Sequence, residues 1–110
     1  MPTFEDRERG FEAKYAHDED LRFRVIARRD RLFAQQVAAQ LGLLEPAAGE
    51  LVAAALAVRD GPGHDGRLIK HMADVFAGHG HSDAAHGLPA SLVACDEQAR
   101  QQLLASPDRG

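Results

Sequence analysis

Glycine and proline clusters divide the chain into segments, and each segment carries apolar residues at helical spacing. The breaks fall at Gly42 with Pro46, at residues 61–66 (GPGHDG) and at residues 78–83 (GHGHSD), because Gly and Pro interrupt regular structure. Between the breaks, apolar side chains recur every three or four residues, which is the period of an amphipathic helix. This pattern restricts the chain to a fold of short helices joined by short loops.

Two predicted helices lie in the first half of the chain. The first follows acidic residues 18–20 and runs to about residue 41, because acidic side chains favour a first turn. Its predicted apolar face comprises Leu21, Val25, Ile26, Phe33, Val37, Leu41 and Leu44. The second begins at Pro46, which suits a first helical turn. Its predicted apolar face comprises Leu51, Val52, Ala55 and Leu56.

Two more predicted helices lie in the second half. Asp65 is a candidate N-cap for the third, and Gly78 is its predicted end. The apolar face of this third helix comprises Leu68, Ile69, Met72, Val75 and Phe76. Pro89 can open the fourth helix. The apolar face of the fourth helix comprises Leu92, Cys95, Ala99 and Leu103.

The composition agrees with an all-α fold class. Hydrophobic residues make up 45% of the chain but aromatic residues only 5%, and Ala and Leu dominate the apolar share. Such residues favour helices, whereas a β-sandwich or barrel would need more β-branched and aromatic side chains. We therefore predict a short-looped bundle of about four helices at residues 18–110. A helical or disordered N-terminal arm at residues 1–17 precedes it.

Charge and cysteine content narrow the classes of function. A formal net charge of −4 argues against a nucleic-acid binder. The single cysteine, Cys95, cannot form an internal disulfide, and its place on an apolar stripe indicates packing. No apolar run approaches the ~20 residues that span a bilayer. We expect a soluble, cytoplasmic protein without direct membrane insertion.

The arm has an aromatic stripe among charged residues. Phe4, Glu8, Phe11 and Tyr15 stand at helical spacings, so that the three aromatic rings share one side. One interpretation is an ordinary terminal helix packed on its own bundle. The other is a helix whose aromatic side docks into the groove of a partner protein.

Five arginines lie within ten residues and could hold phosphate groups, because a guanidinium matches phosphate oxygens. They are Arg22, Arg24, Arg28, Arg29 and Arg31. The alternative is a solvated face neutralised by nearby carboxylates. Those carboxylates are Asp18, Glu19, Asp20 and Asp30. The chain has no Gly-x-x-x-x-Gly-Lys loop, so any nucleotide site is not a hydrolytic P-loop.

Histidines are the remaining candidates for chemistry. His79, His81 and His86, with His64 and His71 nearby, could supply metal ligands. Their segment is rich in glycine and has no pattern that would orient the ligands, so we predict a solvated turn and no metal. No spacing indicates a nucleophile with its base or a carboxylate pair. The chain is predicted not to be an enzyme.

Three stretches near the N-terminus resemble a known family. They are residues 4–18 (FEDRERGFEAKYAHD), 21–23 (LRF) and 27–32 (ARRDRL). Together they resemble the zeta subunits that inhibit ATP hydrolysis by alphaproteobacterial F-type ATP synthases. The chain departs from that pattern at Gln36, where relatives carry Trp, and in its Gly- and His-rich second half. It resembles a divergent member.

The resemblance implies a four-helix bundle whose N-terminal segment inserts between alpha and beta subunits of the synthase head. The inhibitory interface would comprise Phe4, Glu5, Asp6, Arg7, Glu8, Phe11, Glu12 and Tyr15. The partners would be the alpha, beta and gamma subunits, which would hold the protein peripheral to the inner membrane. ADP or ATP would be a regulatory ligand, for which we single out Arg28 and Arg29, and no other cofactor is implied.

Two alternatives stay open beside the inhibitor. The chain could be an adenine-nucleotide-binding helical module that has lost inhibitory activity, as the missing Trp and the altered second half would allow. A third hypothesis is a metal-binding or hydrolytic protein that uses the histidines.

Overall fold

The all-α fold class is confirmed by a computed structural model that describes the backbone of residues 4–105 and the side chains of residues 19–105. The helices are α1 (Phe4–Gln40), α2 (Ala47–Leu56), α3 (His64–Gly78) and α4 (Leu88–Ala105). A short 3-10 helix, η1 (Ser82–Gly87), leads into α4. Within the described backbone there is no β-strand.

Helix α1 is a single continuous element of 37 residues. The sequence suggested an arm helix and a separate long helix, but the backbone is helical through residues 17–20 without a break. At 1.5 Å per residue such a helix is about 55 Å long, which accounts for the molecule's extents of 64 × 27 × 21 Å. The division into an arm at 1–17 and a bundle at 18–110 stays a prediction.

The main core is formed where all four helices meet. Its buried residues are Phe33, Ala34, Val37, Ala38, Leu51, Ala55, Leu68, Met72, Phe76, Leu88, Leu92 and Cys95. The predicted apolar faces of α3 and α4 supply five of these twelve residues, so the helical periodicity placed those faces correctly. Burial of large side chains such as Phe33 and Phe76 stabilises the fold by roughly 1.5–3 kcal/mol each.

A second, smaller core joins α1 to the C-terminal half of α4. Val25, Ala99 and Leu103 are buried there, and Leu21 and Leu32 pack against them. Leu21 is thus the first residue of α1, among the described side chains, that contacts a core. Arg29 lies four positions after Val25 and four positions before Phe33, so a stretch of α1 lies between the two cores.

The C-terminus of α1 ends at a left-handed glycine. Gly42 has φ +67°, and its N–H donates to the Ala39 carbonyl at 3.1 Å while the Leu43 N–H donates to the Ala38 carbonyl at 2.9 Å. These two bonds form a Schellman motif, which satisfies the last carbonyls of the helix. The chain then changes direction. Leu44 was expected on the apolar face, but it lies beyond the helix and its side chain is 82% exposed.

The predicted N-cap of α3 was also wrong. The helix begins at His64, and Gly63 occupies the cap position with φ +81°. Asp65 lies inside the first turn, where its carboxylate contacts Arg29 on α1 instead of the helix's own N–H groups. Helix α4 begins at Leu88, one residue before the predicted Pro89.

Candidate functional site

A charged pair interrupts the apolar face of α1 between the two cores. Arg29 and Asp30 are 6% and 3% exposed, although they lie in a run of arginines that the sequence indicated as a solvated face. Arg29 Nε donates to Asp30 Oδ1 at 2.9 Å. Two charges removed from water are costly unless both are hydrogen-bonded. The surrounding residues must therefore supply the remaining partners.

His64 supplies the partner of the second Asp30 oxygen. Its Nε2 lies 2.7 Å from Asp30 Oδ2, and its Nδ1 lies 2.9 Å from the carbonyl oxygen of Arg59. His64 is the first residue of α3, so these contacts join α3 and the preceding turn to α1. We call residues 57–63, which connect α2 to α3, the α2–α3 turn.

The α2–α3 turn is closed by a second set of hydrogen bonds. Arg67 Nη2 donates to the Arg59 carbonyl at 2.7 Å, and Arg67 Nη1 donates to the Pro62 carbonyl at 3.0 Å. Gly63 is required here because its φ is +81° and a Cβ would lie 2.9 Å from Arg67 Nη1. Arg67 would have to move for any larger residue, and the backbone would be strained.

Asp65 completes the network on the solvent side. Arg29 Nη2 donates to Asp65 Oδ1 at 2.8 Å, and Arg29 Nη1 donates to Asp65 Oδ2 at 3.3 Å. This two-point contact is the arrangement in which a guanidinium and a carboxylate bind most specifically. Arg29 therefore bridges two carboxylates, Asp30 on its own helix and Asp65 on α3. We call Arg29, Asp30, His64 and Asp65 the buried network.

The buried network shifts the pKa values of its members. Burial opposes the charged forms of Arg29 and His64, but hydrogen bonds outweigh it. The bond to Asp65 and the charge of Asp30 raise the pKa of Arg29. The bonds to the Arg59 carbonyl and to Asp30 raise the pKa of His64 above its ordinary value of 6.5. Burial also raises the pKa of the Cys95 thiol, and the charge of Arg29 opposes that rise.

A groove of about 630 Å³ lies over the buried network. One wall is the exposed part of α1 before Arg29, another is the α2–α3 turn, and the third is α4. The lining includes cationic side chains beside apolar ones, and the Phe23 ring is 69% exposed. The charged lining side chains are Arg22, Arg29 and Arg100 with the carboxylates of Glu19, Asp60, Asp65 and Asp96, and Phe23 and Ile26 are apolar. Arg100 Nε donates to Asp96 Oδ2 at 2.8 Å. The groove therefore offers apolar surface beside charges of both signs.

The structure separates the two arginines that were singled out for phosphate binding. Arg29 lines the groove but is already bonded to two carboxylates. Arg28 is partly exposed and does not line the groove. Of the neutralising carboxylates, Asp20 pairs with Arg24 at 3.0 Å as a solvated face would require, whereas Asp30 is buried. Asp18 lies outside the described side chains.

The side chains of the predicted inhibitory interface also lie outside those described by the structure. Those residues are Phe4, Glu5, Asp6, Arg7, Glu8, Phe11, Glu12 and Tyr15. Their backbone belongs to α1, which agrees with the helical spacing of the aromatics. Their role stays a prediction.

The histidine-rich segment forms the exposed turn that was predicted. His79, His81 and His86 are all exposed, and His79 Nδ1 bonds the Val75 carbonyl on its own helix at 2.9 Å. Among the described side chains, no group of three or more His, Cys, Asp or Glu residues is placed to hold a metal ion. Cys95 is fully buried in the core, as its stripe indicated.

Sequence reasoning missed Asp30, His64 and Asp65 as members of one network. A signal was present in the predicted face of α1, where the apolar stripe has a gap of six residues between Ile26 and Phe33. Arg29 and Asp30 fill that gap at helical spacing from Val25 and Phe33. Charged residues inside an apolar stripe indicate a buried pair, because an unpaired charge there would be too costly.

Comparison with known proteins gives the class of the chain. The family model for ATPase inhibitor subunit zeta matches residues 1–102, and the match therefore includes both the N-terminal segment and the four helices. Neither a curated protein nor a solved structure has a significant match to the chain. The chain belongs to the ATPase inhibitor subunit zeta family. No helix in the described part of the chain is both long and apolar enough to cross a membrane.

Asp30→Ala should lower the free energy of unfolding by about 3 kcal/mol, because it leaves the charges of Arg29 and His64 buried without a shared partner. Urea denaturation followed by circular dichroism measures this difference. Asp74→Ala is the matched control: it removes the carboxylate of an exposed pair with Lys70 at 3.1 Å, and such pairs contribute about 0–1 kcal/mol. Equal losses in the two variants would show that the buried network does not stabilise the fold.

Proposed function

We propose that the chain inhibits ATP hydrolysis by the head of an F-type ATP synthase, and that residues 1–17 insert at a catalytic interface between alpha and beta subunits. The observation that carries this proposal is the family match, which begins at residue 1 and runs through the bundle. An arm held at that interface would prevent rotation of the gamma subunit in the hydrolytic direction. In this proposal the chain has no catalytic activity of its own.

The geometry of α1 supports insertion. The helix is anchored in the bundle from Leu21 onward by Val25 and the second core. Residues 4–17 continue the same helix, and at 1.5 Å per residue they extend it by about 21 Å. A helix anchored at one end can reach into a groove on a partner with less loss of conformational entropy than a free peptide. The aromatic stripe at positions 4, 11 and 15 would fill that groove.

The charged residues of the arm would set its position along the interface. Glu5, Asp6, Glu8 and Glu12 are acidic and Arg7 is basic, and complementary charges on a partner fix register more than they add affinity. The protein would then lie on the cytoplasmic side, peripheral to the inner membrane, through its contact with the synthase head.

Phe11→Ala and Tyr15→Ala should each relieve inhibition, because truncating a buried aromatic anchor commonly costs about 2 kcal/mol or more. That loss corresponds to a roughly 30-fold rise in the concentration needed for half-inhibition. The test is to measure ATP hydrolysis by the cognate synthase head at increasing inhibitor concentration and to compare the half-inhibitory concentrations of the variants and the wild-type chain.

Val93→Ala is the control for these variants. Val93 is an apolar side chain on α4 that is 71% exposed, and it is remote in sequence from the arm, so its truncation should leave inhibition unchanged. Full inhibition by Phe11→Ala and by Tyr15→Ala would rule out the aromatic stripe as the anchor. If the wild-type chain never slows ATP hydrolysis, the proposal that this chain is an inhibitor is wrong.

The groove favours one second candidate function, the binding of ADP or ATP as a regulatory ligand. Arg22 offers a cationic group for phosphates, and Phe23 and Ile26 offer apolar surface for a base. Arg29 is already paired with Asp30 and Asp65, and Arg100 is paired with Asp96, so the phosphate contact in this proposal is made by Arg22. A chain that kept this groove and lost inhibition would be an adenine-nucleotide-binding module.

Arg22→Ala should weaken ADP binding about 10- to 150-fold in titration calorimetry, which is the value of one charge-assisted hydrogen bond of about 1.5–3 kcal/mol. Arg28→Ala is the control, since Arg28 lies on the same helix but does not line the groove. Loss of binding in Arg28→Ala alone would place the nucleotide outside the groove. Unchanged ADP affinity in both variants would exclude a phosphate contact from either arginine.

A further inference from the structure

His64 has hydrogen-bond partners that only accept. Nε2 faces a carboxylate oxygen of Asp30 at 2.7 Å, and Nδ1 faces the backbone carbonyl of Arg59 at 2.9 Å. A neutral imidazole has one N–H and can donate only once, whereas an imidazolium donates from both nitrogens. Both bonds can therefore form together only when His64 carries two ring protons. The geometry itself defines the charge state of this buried side chain.

Charged groups surround His64 on every element that packs against it. Asp30 and Arg29 face it from α1, and Asp60 in the α2–α3 turn places Oδ1 3.8 Å from Nδ1. Asp65 and Arg67 belong to its own helix, and Asp96 and Arg100 of α4 lie across the groove. Asp30 favours the imidazolium, and Arg29 opposes it. The two bonds to acceptors outweigh burial and the Arg29 charge, so that the pKa of His64 lies above 6.5.

The two ring protons differ in how firmly they are held. Nε2–H donates to an ionised carboxylate, and such bonds are roughly twice as strong as bonds between neutral groups. Nδ1–H donates to a neutral carbonyl that also accepts from Arg67 Nη2 at 2.7 Å. The proton on Nδ1 is therefore the one that leaves first. When this proton is lost, Nδ1 presents a lone pair to the Arg59 carbonyl oxygen, and the two electron-rich atoms repel each other.

We propose that His64 is a proton-controlled latch: two ring protons join the α2–α3 turn to α1 through His64, and loss of the Nδ1 proton removes the bond to the Arg59 carbonyl and loosens the turn, while the bond to Asp30 and the bonds from Arg67 remain. The turn forms one wall of the groove through Asp60, Gly61 and Gly63. Proton binding at His64 therefore controls the shape of the groove. This regulation is a property of the bundle and does not depend on inhibition or on a bound nucleotide.

The direction of the pH dependence follows from the raised pKa. Because the pKa of His64 is higher in the folded chain than its ordinary 6.5, the latch contributes its full stability below about pH 6.5. That contribution is lost as the pH rises through the pKa of the folded chain. The turn is thus held by the additional bond below the raised pKa of His64 and loosened above it.

Nitrogen-15 NMR of the full chain, followed over a pH titration, tests the latch directly. Below the midpoint both ring nitrogens of His64 should carry a proton, and above it Nε2 alone should. The midpoint should lie above 6.5, and the protection of the His64 and Arg67 amides, which donate to the Gly61 and Gly63 carbonyls at 3.1 Å and 3.0 Å, should fall across it by up to about tenfold, the value of one hydrogen bond. Amides in the core of α1 should not change.

Three variants test whether the titration of His64, and not that of another group, controls the turn. His64→Gln cannot titrate and should abolish the change in turn protection, whereas His81→Gln removes an exposed histidine and should leave it intact. Asp30→Asn keeps the shape of the carboxylate without its charge and should lower the midpoint of His64. A wild-type His64 with a single ring proton at pH 6, or turn protection that is constant through its titration, would overturn the proposal.

Discussion

The hydrogen bond between His64 and Asp30 joins parts of the chain that are 34 residues apart, and the arrangement of the bundle depends on it. Asp30 lies on α1 between two apolar cores, and His64 begins α3. Their contact, with the bridge from Arg29 to Asp65, fixes where α3 starts along α1. Apolar packing alone allows helices to slide by a turn with little cost. A buried polar contact with defined partners removes that freedom.

The buried network both stabilises the bundle and positions one wall of the groove. Arg29 is held between two carboxylates, and the α2–α3 turn is closed by bonds to the Arg59 and Pro62 carbonyls. This wall of the groove therefore depends on charged groups as well as on the packing of Val58 against the main core. Electrostatic contacts respond to pH and to bound anions, whereas apolar packing responds to neither. A charged ligand in this groove would thus act on the α2–α3 turn and the buried network, which respond more strongly to charge than the apolar cores do.

Much of the fold was predictable from the sequence, because amphipathic helices carry a periodic signal. The faces of Leu68, Met72 and Phe76 on α3 and of Leu92, Cys95, Ala99 and Leu103 on α4 are buried as predicted. Leu44 was misplaced because the left-handed Gly42 turns the chain before it. The network was not predicted, since polar contacts have no period. The pairing of Asp30 with His64 depends on how α3 crosses α1, which the sequence pattern does not contain.

The proposed function requires that residues 1–17 inhibit and that the rest of the chain folds without them, and a chain that begins at residue 18 tests this most directly. Without residues 1–17 the chain keeps both cores and the buried network, all of which lie at or after Leu21. The measurement is ATP hydrolysis by the cognate synthase head, with a thermal melt of the shortened chain beside it. We predict a cooperative melt and no inhibition at concentrations where the full chain inhibits. Inhibition by the shortened chain that equals that of the full chain, or a melt without cooperativity, would contradict the account.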